Sequence, residues 1–153
     1  MAVRNIVLPS LLAACALAAG SPALAATLTV QPGESIQVAI DRAQEGDVVQ
    51  VQRGRYRENL RIEKAITLRG INRPTVDGGG QGDTIRVTAT DVVIEGMIVA
   101  NSGDNRYQQN SGIYIQPGAH RARVQGCYLI YNLFGLWKLP RSEERRVGKE
   151  CRS

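Results

Sequence analysis

Three short runs of β-branched, aliphatic and small residues in the middle of this chain, at positions 84–87, 92–94 and 97–101, return in the same order at 112–115, 122–124 and 128–132. The two sets begin 28 residues apart, and an earlier, looser set at 60–62, 66–68 and 75–76 precedes the first by about 25. Each run is bounded by Gly, Asp, Asn or Pro, the residues that close tight turns. Self-similarity at such a period is the mark of a solenoid, in which one round cannot bury its apolar face alone and must stack on the next. Three short strands per round point to an all-β, right-handed parallel β-helix, with loop insertions at one corner accounting for the drifting period.

Both ends depart from this pattern. Residues 1–25 resemble a secretory signal: Arg4 is the positive start, residues 6–19 are apolar but too short to span a bilayer, and Ala23-Leu24-Ala25 offers a small-x-small cleavage site. This predicts export to the periplasm. A competing reading takes Leu12-Ala13-Ala14-Cys15 as a lipobox, with Cys15 lipidated. Residues 141–153 carry almost no apolar content and resemble the in-frame translation of a common sequencing adapter, so they are expected to be a non-native tail, with the native β-helix continuing past Pro140. Of the formal net charge of +5, Arg4 supplies +1 and the tail +2, leaving +2 for residues 26–140. That balance is too small to propose nucleic acid as a partner. With Cys15 and Cys151 set aside, Cys127 stands alone and has no intramolecular partner for a disulfide.

The segment 26–140 is expected to open with a strand at 27–30 and a helix at 35–44. Ser35 can cap that helix, and Ile36, Ala39, Ile40 and Ala43 fall on one face. Such a helix would cover the open end of the solenoid. Val49 and Val51 should point inward from the next strand. Residues 54–59, 72–74 and 77–80 read as corners, and Ile85, Val87, Ile113 and Ile115 as stacked aliphatic columns. Asn101 and Asn132 end equivalent strands and are expected to form an amide ladder. The polar stretch 102–111 is the main insertion, and insertions usually mark a solenoid's binding face. Asp104, Arg106, Tyr107 and Gln108 are therefore candidate partner contacts, together with Arg55 and Arg57 in the basic corner formed by Arg53, Arg55, Arg57 and Arg61.

The stretches 75–87 (TVDGGGQGDTIRV) and 91–99 (DVVIEGMIV), then Asn101-Ser102-Gly103, 111–115 (SGIYI) and 126–129 (GCYL), resemble the NosD family. The resemblance implies a periplasmic β-helix accessory protein that acts with an ABC-type membrane transporter and with nitrous oxide reductase, in maturation of that enzyme's copper-sulfide centre. It also implies a longer β-helix and a possible involvement of copper. Cu(I) favours Cys and Met, and Cu(II) favours His, in clusters of two or more. The candidates are His120, Cys127 and Met97, with Tyr131 a weaker fourth, and they form no recognisable ligand motif.

A β-helix enzyme or carbohydrate-binding module acting on acidic polysaccharide is the alternative, since many parallel β-helices are lyases or esterases. Gly54-Arg55-Tyr56-Arg57-Glu58 resembles the first-coil segment of pectinesterases. Catalysis of that kind needs converging acids and bases on the solvent face. Asp83, Asp91 and Glu95 are the closely spaced acids of the later coils, and each reads as a turn or corner residue. The expectation is a non-catalytic protein.

Overall fold

The computed structural model describes residues 25–138. The expected signal segment, Cys15 and the tail after residue 140 lie outside the described residues. Within them the chain winds as a parallel β-helix of three sheets. The first sheet stacks β1 (Thr27–Val30), β2 (Val48–Val51), β5 (Thr67–Gly70), β8 (Val93–Glu95) and β11 (Arg123–Gln125). The second stacks β3 (Arg55–Arg57), β6 (Thr75–Asp77), β9 (Ile98–Ala100) and β12 (Tyr128–Ile130). The third stacks β4 (Leu60–Ile62), β7 (Ile85–Val87), β10 (Ser111–Ile115) and β13 (Phe134–Lys138). Every pairing is parallel, and the chain visits the sheets in the same cyclic order on each round.

The register follows from the inward columns. Leu60, Ile85 and Ile113 align in the third sheet, beside Ile62, Val87 and Ile115. Val49, Leu68 and Ile94 align in the first, and Tyr56, Val76 and Val99 in the second. All are buried. Full burial of each aliphatic side chain contributes roughly 1.5–3 kcal/mol. A one-residue slip would turn a whole column outward, so the alternation fixes the register. The 25-residue and 28-residue repeats read from the sequence are the Leu60-to-Ile85 and Ile85-to-Ile113 steps of the third sheet.

The helix α1 (Ile36–Arg42) follows β1 and packs on β1, β2 and β4, burying Ile36 and Ile40. Ser35 accepts from the Val38 N–H at 3.3 Å, as its N-cap position requires. A second cap comes from the coil beneath: Glu58 accepts from Ile36 N (2.7 Å), Gln37 N (3.2 Å) and the Ser35 hydroxyl (2.8 Å). The last helical residue is Arg42, so the helix stops short of residue 44. Gly46, at φ +90°, turns the chain into β2 instead.

Two expectations are corrected. Residues 55–57 are not corner but strand, because Tyr56 fills an inward position and its hydroxyl donates to the Gln52 carbonyl at 2.8 Å. The Asn101 and Asn132 amides do not bond to one another. Asn101 donates to Asp77 (3.0 Å), while Asn132 donates to the Val99 carbonyl (2.9 Å) and accepts from Ser102 N (3.0 Å). Each side chain spans to the round above and bonds to an acceptor there, the Asp77 carboxylate for Asn101 and the Val99 carbonyl for Asn132.

Candidate binding surface

The alternation that points Tyr56 into the core points Arg55 and Arg57 out of it, directly over Thr75 and Asp77 of the next coil. Arg55 reaches across to Asp77 through Nε (3.0 Å) and Nη2 (2.5 Å). The other Asp77 oxygen accepts from Gly79 N (2.9 Å) and the Asn101 amide (3.0 Å). Asp77 is only 4% exposed. Burial by itself would raise its pKa, but Arg55, the Gly79 N–H and Asn101 outweigh that and hold it at about 2. Arg57 has no acidic partner among the described residues and lies over Gly79, where a Cβ would sit 3.3 Å from its Nε.

These residues line an open groove of about 620 Å³ that extends to Asn101 and Tyr131. Tyr131 is 84% exposed and held at φ +53°, a left-handed conformation that non-glycine residues seldom adopt. Arg57, Asp77 and Gly79 also wall a second hollow of about 230 Å³, shared with Asn59 and Gln81. Asn59 and Gln81 in turn wall a third of about 500 Å³, whose far side is Arg61 and Arg86. The three hollows form one trough passing over the corner between the second and third sheets.

The insertion loop leaves the same corner. Its base is fixed: Ser102, Gly103, Asn110 and Ser111 are buried, and Gly103 N donates to the Gly82 carbonyl at 2.8 Å. Gly103 is required there, because a Cβ would lie 2.2 Å from the Asn110 amide nitrogen. Asp104, Arg106, Tyr107 and Gln108 occupy the exposed tip, and Tyr107 is 100% exposed. The Asn105 side chain holds the tip by accepting from Tyr107 N (3.0 Å) and Gln108 N (3.2 Å). The structure thus places Arg55 and Arg57 in the trough, and the other four candidates on the loop.

Of the metal candidates, Cys127 and Met97 are neighbours on adjacent coils, whereas His120 stands at a different corner. His120 is exposed in the turn before β11, at the corner between the third and first sheets. Met97 is wholly buried. Cys127 stacks on it, since Tyr128 pairs with Ile98, and its Sγ lies 3.4 Å from the Gln125 carbonyl and 3.7 Å from that of Ile94. Burial pushes the Cys127 thiol up, away from the thiolate that binds soft metals. Among the described residues no three of His, Cys, Asp and Glu gather around one point.

The three acids of the enzyme reading are likewise separated. Asp83 accepts from Ser111 N and Oγ with one oxygen and from Arg86 with the other. Asp91 pairs with Arg121, whose hydrogen bonds hold the carboxyl low. Glu95 lies between Arg69 and Gln125, and Arg69 chiefly holds it low. All three are engaged in links between or within coils. The Asp77–Arg55 clamp and the position of Tyr131 were missed from the sequence; reading residues 55–57 as a strand would have set Asp77 beside Arg57 by register alone.

The architecture and its surface define a parallel β-helix that presents one anchored loop and one polar trough at a common corner. Over 84 residues, 55% of this chain, it is 31% identical to a probable ABC transporter binding protein NosD of Pseudomonas aeruginosa, covering 20% of that protein. It is 26% identical over 97 residues, 63% of this chain, to a protein of the same name from Stutzerimonas stutzeri, covering 22% of it. The chain is therefore NosD-like in that stretch, and it spans about a fifth of the length of the curated relatives it matches. No protein-family model matches the chain, and no solved structure does.

Proposed function

We propose that this chain acts as a non-catalytic accessory protein to an ABC-type membrane transporter, exported to the periplasm, where it serves maturation of the copper-sulfide centre of nitrous oxide reductase. The similarity to two proteins named as transporter binding proteins supports the transporter link. The observation that carries a partner-docking role is the loop: a rigid base presents a fully exposed Tyr107 flanked by Arg106. Tyr and Arg are the side chains most often found at the energetic centres of protein interfaces. Copper in this reading belongs to the reductase.

The test is deletion of residues 104–109 alone, closing the loop between its buried ends. Folding should be retained, while co-purification with the transporter and activation of the reductase are lost. Undiminished reductase activation in a strain carrying the deletion would sink the proposal. The non-catalytic reading is favoured by the ion pairs of Asp83, Asp91 and Glu95, each with an arginine on a different part of the surface.

A further inference from the structure

The outward face of the second sheet changes character down the stack. Arg55 and Arg57 of β3 are followed by Thr75 and Asp77 of β6, then Ile98 and Ala100 of β9, then Tyr128 and Ile130 of β12. Tyr128 is 49% and Ile130 42% exposed, and the exposed Tyr131 follows at the corner. These strand side chains point away from the core, so a further coil would stack beside them and not over them. The first sheet differs: one of its outward columns is Gln50, Arg69, Glu95 and Gln125. Arg73, in the corner before β6, reaches down two coils and sets its guanidinium 4.8 Å from the centre of the Tyr128 ring. It pairs with no carboxylate among the described residues. Tyr131 walls the same groove as Asn101 and Ser102 at the base of the loop, and Leu133 N donates to the Ser102 hydroxyl at 3.1 Å. The apolar strip is thus continuous with the anchored loop.

We propose that Ile98, Tyr128, Ile130 and Tyr131 form the centre of an interface whose edge is the loop, and that they seat a protein segment carrying apolar side chains beside a carboxylate that meets Arg73. This rests on the docking role of the loop and names the chemistry of what docks. Tyr and Ile clustered on a flat face, with arginine at the rim, match the apolar core and polar border of a protein interface. The carboxylate follows from Arg73, because covering its guanidinium without an acceptor would leave a desolvated, unpaired charge. Self-association about a two-fold axis through the strip would bring two copies of Arg73 to one apolar patch. A membrane surface is disfavoured because the strip is flat: Ile98 is half-buried and Ala100 buried, so neither projects toward acyl chains.

The experiment replaces Ile130, or Gln108 on the loop, by a photo-crosslinking benzophenone residue in the full chain, in cells that make the ABC-type transporter, and sequences the crosslinked peptides. Both positions should crosslink to the same transporter subunit, and the peptide joined at position 130 should hold Asp or Glu beside apolar residues. With the probe on the loop, Tyr131→Asn and Arg73→Asn should each lower the yield about tenfold or more. Both positions have positive φ, which asparagine tolerates, so the two variants keep the fold. Gln116→Glu, at the corner between the third and first sheets, should leave the yield unchanged. Capture from the loop with none from position 130 would leave the loop's role standing and overturn the inference, whereas capture from neither would overturn both. Crosslinking of position 130 to a second copy of this chain or to lipid, or a yield indifferent to Arg73→Asn, would also overturn it.

Discussion

Replacing Asp77 by asparagine removes one charge from a buried side chain while preserving its shape, which isolates what the Arg55 clamp contributes. The carboxyl titrates at about 2 in the folded chain against 3.8 normally. At about 1.4 kcal/mol per unit, that gap corresponds to about 2 kcal/mol of stability in the charged form. Because the folded value is the lower one, the contribution is complete at pH above the unfolded value and is lost as pH falls through about 2. Urea unfolding followed by circular dichroism between pH 7 and pH 2 gives wild type minus Asp77→Asn. The difference should be about 2 kcal/mol at pH 7, steady to about pH 5, and shrink steeply below pH 4. Subtraction cancels Asp47, Asp91 and Glu95, whose carboxyls are also held low. A difference of zero at neutral pH, or one that stays constant down to pH 2, would refute the clamp as a source of stability.

Three further outcomes follow from the same geometry. Gly96→Ala puts a Cβ 2.8 Å from the Gly70 carbonyl oxygen at φ +71°, whereas Gly80→Ala, at φ +76°, meets nothing within 4 Å. The first should cost about 2–4 kcal/mol and the second about 1, and equal losses in melting temperature would dismiss the close stacking of these glycines. Glu58→Ala removes three acceptor contacts at the start of α1 and should cost about 1–2 kcal/mol, with faster hydrogen exchange at the Ile36 and Gln37 amides. Unchanged exchange at those amides would show that Ser35 caps the helix unaided. Tyr107→Ala should leave the melt within about 0.5 kcal/mol of wild type, since the ring is fully exposed, yet abolish capture of the transporter partner. A large loss of stability would mean that the tip packs on the solenoid.

The fold was legible because stacking repeats one requirement on every round. Ile85 and Ile113 are aliphatic for the same reason, and spacing alone finds them. Where a round departs from that rule the sequence misleads. Arg-Tyr-Arg at 55–57 has two charged residues in three and reads as a corner, although its single inward residue is enough to make it a strand. Asn101 and Asn132 hold equivalent places, but their partners are set by which acceptor the neighbouring coil presents, Asp77 in one case and the Val99 carbonyl in the other. The candidate site is legible only in part for a related reason. The loop announces itself by composition, whereas the trough is assembled from residues 20 to 80 positions apart whose proximity exists only after winding.

The corner between the second and third sheets explains why both surfaces occur together. Between its strands lie 2, 7, 10 and 3 residues on successive rounds, while the turns from the first sheet to the second hold 3, 4, 2 and 2. Strand length is constrained by the columns and the tight turns by stacked glycines, so added residues accumulate where neither limit applies. A short corner beside longer ones leaves a hollow, and the Gly78–Gly79–Gly80 floor keeps that hollow open under Arg57. The longest corner projects the loop instead. Lengthening the two-residue corner at Glu58-Asn59 should therefore fill the trough and leave the loop, and with it transporter capture, untouched.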